Sequence, residues 1–157
     1  MNKILNPNEA IDVAERIRKD HKTIVLAGGC FDILHRGHIF FLEEAGRQGD
    51  ILILFLESDE NIKSRKGLER PINSQKYRSI VLSALSSVDY VIPLEGMTNN
   101  QEYDKLIVQI SPDIIALTEG DPGLEQRKKQ AKIVGAKIRL IKKIEGRSTT
   151  NLIKNNG

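Results

Sequence analysis

The stretch "TIVLAGGCFDILHRGHIFFLEEAGRQGDILILFLES", residues 23–58, decides the reading of this chain. It opens with a short β-rich run, 23–29, that ends in two glycines. A polar turn carrying two histidines follows. Residues 37–49 then space their apolar side chains as one face of a helix stopped near Gly49. Residues 50–58 form a second run, apolar enough to be covered on both faces, as strands of parallel sheets are. Strand, turn, helix, strand is the unit from which parallel sheets are built.

The same alternation continues on either side. Residues 7–20 read as a helix, with Ile11, Ala14 and Ile17 on one face. Downstream, helices are predicted at 74–87, 100–110 and 123–135, and strands at 88–93, 113–117 and 136–141. Ser74 is a plausible N-cap, and Gly135 a helix stop. The lysines and arginines clustered at 63–70 read as a flexible basic loop after the second strand, and 148–155 as a short capped helix. Five strands alternating with helices predict an α/β fold with a parallel sheet covered on both faces. Ligands of such sheets bind outside the carboxyl ends of the strands, where the strand order reverses. The turn after the first strand is therefore the place to look for a site.

Composition narrows the choices. The chain has 157 residues, the size of one domain with one core, and no linker or repeat interrupts it. The longest apolar run, 51–56, is strand-sized and far short of a membrane span. The N-terminus lacks the apolar stretch of a secretory signal, so a cytoplasmic location is expected. A single cysteine excludes an internal disulfide and a multi-cysteine zinc site. A net charge of +3 with 4% aromatics offers no stacking platform for nucleic acid. No nucleic-acid or membrane partner is expected.

The turn itself, "GGCFDILHRGH" at 28–38, admits three readings. A zinc site needs a third ligand beyond His35 and His38, and the remaining histidine, His21, precedes the first strand. An ordinary glycine turn explains the glycines but not the coincidence of a Phe-Asp step, two histidines and a helix start. A phosphate cradle explains all of these. Gly28 and Gly29 allow close backbone approach, Gly37 opens the helix start, and the first amides of the helix favour anions. The imidazoles of His35 and His38 then donate to phosphate oxygens. Asp32 is expected to fix the turn by accepting from nearby amides.

"FDILHRGH" resembles the Phe-Asp-x-x-His-x-Gly-His signature of nucleotidyltransferases related to cytidylyltransferases. "ESDENIKSRKGLERPINSQKYRSIVLSAL" (57–85) and "EGRSTTNLIK" (145–154) extend the likeness over nearly the whole chain from residue 22. The adenylyltransferase half of the bacterial ADP-heptose synthesis enzymes is the most similar branch. Glycerol-3-phosphate cytidylyltransferases and archaeal flavin adenylyltransferases are similar too.

The resemblance implies a single Rossmann-like, doubly wound domain of five parallel strands over 1–157, with an N-terminal helix in 1–21 and a phosphate-binding segment at 145–157. It implies transfer of a nucleotidyl group from an NTP, ATP favoured, to a phosphorylated small molecule such as a heptose 1-phosphate, with release of pyrophosphate. CTP-dependent transfer to glycerol 3-phosphate and adenylyl transfer to FMN are the alternatives, and a nucleotide sensor is the non-enzyme alternative. His35 and His38 would stabilise phosphate charge, and Lys63, or Lys66 close by, would meet substrate phosphates. Gly28, Gly29, Cys30, Phe31 and Gly37 would line the nucleotide site. Phe31 would serve through its amide, and Cys30 as a small buried filler rather than a nucleophile. Arg78 would contact substrate. Arg147, Ser148 and Thr149 would hold the β,γ-phosphates. Magnesium would arrive on the NTP, with no dedicated protein cage. A homodimer is one form open to the family.

One loop departs from the heptose branch. Residues 116–126 read "ALTEGDPGLEQ" where that branch has Lys-Gly-Gly-Asp-Tyr. Gly120 and Asp121 remain; the lysine, one glycine and the tyrosine do not. The base and acceptor pockets are the parts this departure touches.

Overall fold

The computed structural model describes residues 2–144 and Ile153. Five parallel strands form one sheet: β1 (Ile24–Gly29), β2 (Ile51–Leu56), β3 (Tyr90–Pro93), β4 (Ile114–Thr118) and β5 (Lys137–Ile141), in the order β3-β2-β1-β4-β5. The helices are α1 (Pro7–Lys19), α2 (Arg36–Gly46), α3 (Asp59–Lys66), α4 (Gln75–Ser83), α5 (Asn100–Ile110) and α6 (Leu124–Val134). The order reverses between β1 and β4, so the chain winds away from its first strand in both directions.

Alternation along the central strands explains the two layers. Ile24 and Leu26 of β1, with Ile53 and Phe55 of β2, pack into a core with α1 and α5. Val25 and Ala27, with Leu52, Leu54 and Leu56, point the other way into a second core with α2 and α4. A strand buried on both faces must be apolar throughout.

The two ends of the sheet are built differently. At the amino end, three aspartates accept from strand amides. Asp50 takes Thr23 N at 2.7 Å, Asp113 takes Ile24 N at 2.8 Å, and Asp89 takes Leu52 N at 2.8 Å. The carboxyl end holds the clefts.

Helix α3 corrects the start of the expected loop at 63–70. Its sequence, DENIKSRK, has no apolar face, and only Ile62 is buried. Its ends supply the stabilisation instead. Ser58 caps Asn61 N, Asp59 and Glu60 occupy the first turn, and Lys63, Arg65 and Lys66 the last, matching the helix dipole. The N-terminal segment also divides its work. α1 packs on the sheet face beside α5, while residues 3–5 run along the β3 edge, where Leu5 N donates to Val91 O at 2.9 Å and Val91 N to Lys3 O at 2.8 Å. No helix among the described residues is long and apolar enough to cross a membrane.

Candidate active site

A cleft of about 440 Å³ opens at the carboxyl ends of β1 and β4, at the point where the strand order reverses. Gly28 to Asp32, His35, Gly37 and His38 line one side, and residues 116–122 the other. Lys66, Arg70 and Lys143 bring positive charge.

The two histidines are held by the start of α2. His35 is the N-cap, and its Nδ1 accepts from Gly37 N at 3.1 Å. With Nδ1 accepting, the proton of the neutral ring sits on Nε2, which is left to donate. One turn on, His38 stacks on His35 with ring centroids 3.9 Å apart. Phe31 meets His38 edge-on at 5.4 Å. Burial lowers the pKa of His35. Burial, then the charges of His35 and Lys66, push His38 down to about 4, against partial support from the Ile33 backbone. Both rings are therefore neutral at pH 7, and act on an anion as hydrogen-bonding dipoles.

The glycines answer to protein neighbours as well as to the cleft. A Cβ on Gly29 would lie 2.9 Å from the Phe31 ring, and one on Gly28 would lie 3.0 Å from the Tyr103 hydroxyl. The backbone turns sharply here: Phe31 has φ 45°, in the left-handed region. Cys30 is half-buried rather than fully buried, with Sγ 3.9 Å from an Arg65 nitrogen. Gly120 takes φ 79° to turn the opposite wall, and Asp121 Oδ1 accepts from Gly123 N at 2.7 Å.

Asp32 fixes the turn as expected, though through amides distant in sequence. Its carboxylate accepts from Ile72 N at 2.8 Å and Asn73 N at 2.9 Å, and pairs with Arg70 Nε at 3.1 Å. The side chain of Arg78 is fully buried and is not among the described residues lining this cleft. It donates to the carbonyls of Asn73, Cys30 and Glu57 and to Asp59 Oδ1, at 2.6 to 3.0 Å. Every branch of the guanidinium is occupied by protein, so Arg78 is a tie between the first turn, the end of β2 and α4.

Lys63 is exposed on α3 and lines neither cleft, whereas Lys66 lines the histidine cleft. Around the helix Lys66 lies about 40° from buried Ile62 and Lys63 about 100° from it. Arg147, Ser148 and Thr149 lie outside the described residues. Arg70 and Lys143 escaped the sequence reading. The signal for Arg70 was a lone arginine before proline in a presumed loop, which nothing in the local pattern ties to Asp32.

A second cleft of about 420 Å³ lies beyond the ends of β2 and β3, lined by Glu57, Asn61, Arg65, Asn100, Tyr103 and Arg127 among others. Arg127 lies over the Tyr103 ring at 4.5 Å, and Arg65 pairs with Glu57 at 3.0 Å. Burial raises the Tyr103 pKa, so its hydroxyl keeps its proton.

The family model described as "Cytidylyltransferase-like" matches residues 26–155. "Bifunctional protein HldE" of Syntrophotalea carbinolica is 41% identical over 145 residues, covering 91% of this chain and 29% of that protein. The protein of the same name from Campylobacter concisus is 40% identical over 152 residues, covering 93% and 30%. The chain thus spans under a third of the length of these curated relatives. Among solved structures, the lipopolysaccharide core biosynthesis protein of Thermoplasma volcanium superposes with TM-score 0.63 at 27% identity, covering 80% of this chain and 99% of that one. Pantoate-β-alanine ligase of Francisella tularensis, at 15% identity and TM-score 0.67 over 99% of this chain and 77% of its own, shares the fold. With a family match over most of its length and the histidine pair set at the strand-order reversal, the chain belongs to the cytidylyltransferase-like family and is a nucleotidyltransferase.

Proposed function

We propose that this domain moves a nucleotidyl group from an NTP, with ATP favoured, to the phosphate of a small sugar-phosphate acceptor such as a heptose 1-phosphate. An acceptor phosphate oxygen attacks the α-phosphorus. A new P–O bond forms, the α–β bridge breaks, and pyrophosphate leaves. The observation that carries this reading is the stacked His35–His38 pair at the N-terminus of α2, facing a cleft that also takes Lys66. Neutral donors and a helix start stabilise developing phosphate charge without becoming covalently involved. The two clefts on either side of Gly28 suit a two-substrate reaction. The sugar acceptor rests on the likeness to the HldE proteins and to the lipopolysaccharide core biosynthesis protein.

Magnesium fits this site as a companion of the triphosphate. The described residues hold no cluster of three or more acidic, histidine or cysteine ligands, and Asp32 is already spent on Arg70 and two amides. Bound there, the ion would neutralise triphosphate charge while keeping its waters. Arg147, Ser148 and Thr149 remain the proposed holders of the β,γ-phosphates.

The test is pyrophosphate release with magnesium. ATP, CTP and GTP are crossed with heptose 1-phosphate, glycerol 3-phosphate, phosphocholine, phosphoethanolamine and FMN. Release with ATP and the heptose phosphate supports the reading. Release with CTP and glycerol 3-phosphate, or with ATP and FMN, replaces it with that chemistry. Tight NTP binding with no release across the grid points to a sensor.

A further inference from the structure

Arg70 is the one charged residue of the histidine cleft that is nearly buried and only partly satisfied. It is 8% exposed, and among the described residues the sole partner of its side chain is Asp32, reached through Nε. A guanidinium has five N–H groups. Among the described residues no acceptor meets the four on Nη1 and Nη2, and Nη2 is sealed from solvent as well. Arg78, buried still more fully, has an acceptor for every branch. The contrast is informative because an unmet buried donor on a charged group is costly.

Asp32 does not explain why the arginine is kept. Its carboxylate already takes the Ile72 and Asn73 amides, so removing Arg70 would not orphan it. Asp32 does explain why the arginine is rigid. Held by two amides, it fixes the Nε edge of a guanidinium that lines the cleft with His38 and Lys66.

We propose that Arg70 is a substrate-binding residue, whose Nη1 takes a phosphoryl oxygen when the cleft fills, with Asp32 as its brace. This rests on the nucleotidyl-transfer reading above. Two sources share that chemistry: the triphosphate of the NTP and the phosphate of the acceptor. A planar fork held in advance loses little freedom on binding, and a lysine in its place does not reproduce it.

The test uses the full chain, wild type, R70Q and R70K. Each is titrated calorimetrically with Mg·ATP and with inorganic pyrophosphate, and assayed at varied NTP and acceptor with the pair that wild type turns over. R70Q is expected to weaken phosphate recognition roughly 10- to 100-fold, the span of one or two charge-assisted hydrogen bonds, and R70K to recover only part of it. A raised NTP KM with weaker pyrophosphate binding assigns the contact to the triphosphate. A raised acceptor KM with unchanged pyrophosphate binding assigns it to the acceptor. Folded R70Q with every constant within twofold of wild type overturns the proposal and leaves the transfer reading intact. If R70Q does not fold, the ¹⁵N signals of the Arg70 guanidinium in wild type decide: movement on adding pyrophosphate or acceptor supports the contact, and no movement with either overturns it. Wild type that neither binds nor turns over any pair removes the transfer reading first, and this proposal with it.

Discussion

Arg78 Nη1 donates to the Cys30 carbonyl at 2.6 Å, across 48 residues of sequence. The same guanidinium pairs with Asp59 at 2.7 Å and holds the Glu57 carbonyl at 3.0 Å. One side chain thus anchors the turn before the histidines to the end of β2. R78A should cost about 3–5 kcal/mol, the usual consequence of breaking a buried charge network. R78K, which loses the fork, should recover little of it. Urea unfolding midpoints check both, and a loss below 1 kcal/mol would contradict the anchoring role.

The histidine pair should carry the rate. H38A is expected to lower kcat about 10²- to 10³-fold, as removal of one preorganised donor to a charged transition state does. The measurement is pyrophosphate release at saturating substrates, with the fold confirmed by circular dichroism.

His38 also makes stability depend on pH. Its pKa in the folded protein is about 4. In the unfolded chain it titrates near ~6.5. Between these values the unfolded state binds a proton that the folded state refuses. The contribution is full above pH ~6.5 and is lost as the pH falls through 4. Roughly 2 kcal/mol is expected over that window, after solvent screening of a half-buried ring. Urea melts of wild type and H38N at pH 7, 5.5 and 4.5 test it. Parallel curves for the two proteins would contradict it.

Two lysines three residues apart should behave differently. K66A removes a cleft charge and should raise a substrate KM about tenfold, on the scale of one charge-assisted contact. It should also let the His38 pKa rise, because Lys66 helps to hold it down. K63A, exposed and outside both clefts, should stay within about twofold in kinetics, as surface substitutions do. Steady-state kinetics and imidazole NMR titration separate the pair.

Gly29 carries a steric prediction. G29A places a methyl 2.9 Å from the Phe31 ring, itself packed on His38. A destabilisation of about 1–3 kcal/mol is expected from overpacking. Adding F31L should return part of it, as a double-mutant cycle by thermal melting would show.

Much of this was legible in the sequence. Strands buried on both faces announce themselves as apolar runs, and all five strands, the largely exposed β5 included, were placed within a residue or two of their observed ends. The histidine turn was legible because glycine, histidine and helix start lie together in the chain. What escaped depends on distance. α3 has caps and end charges but no apolar stripe, so periodicity missed it. Arg78 and Lys63 were assigned by position in a motif. Whether an arginine faces a ligand or ties together two distant carbonyls and a carboxylate is decided by residues 19 to 48 places away. Arg70 was invisible for the same reason, since its partner lies 38 residues upstream.

The reversal of strand order between β1 and β4 has a consequence for how activity returns after denaturation. β1, β2 and β3 can zip together in sequence order, carrying the glycines and both histidines. The opposite wall, residues 116–122, arrives only when β4 docks beside β1, pairing Val25 with Ile114 across 89 residues. Long-range parallel pairing is slow to form. Regained transferase activity therefore reports the late, non-local step of refolding, and helical circular dichroism should recover ahead of it.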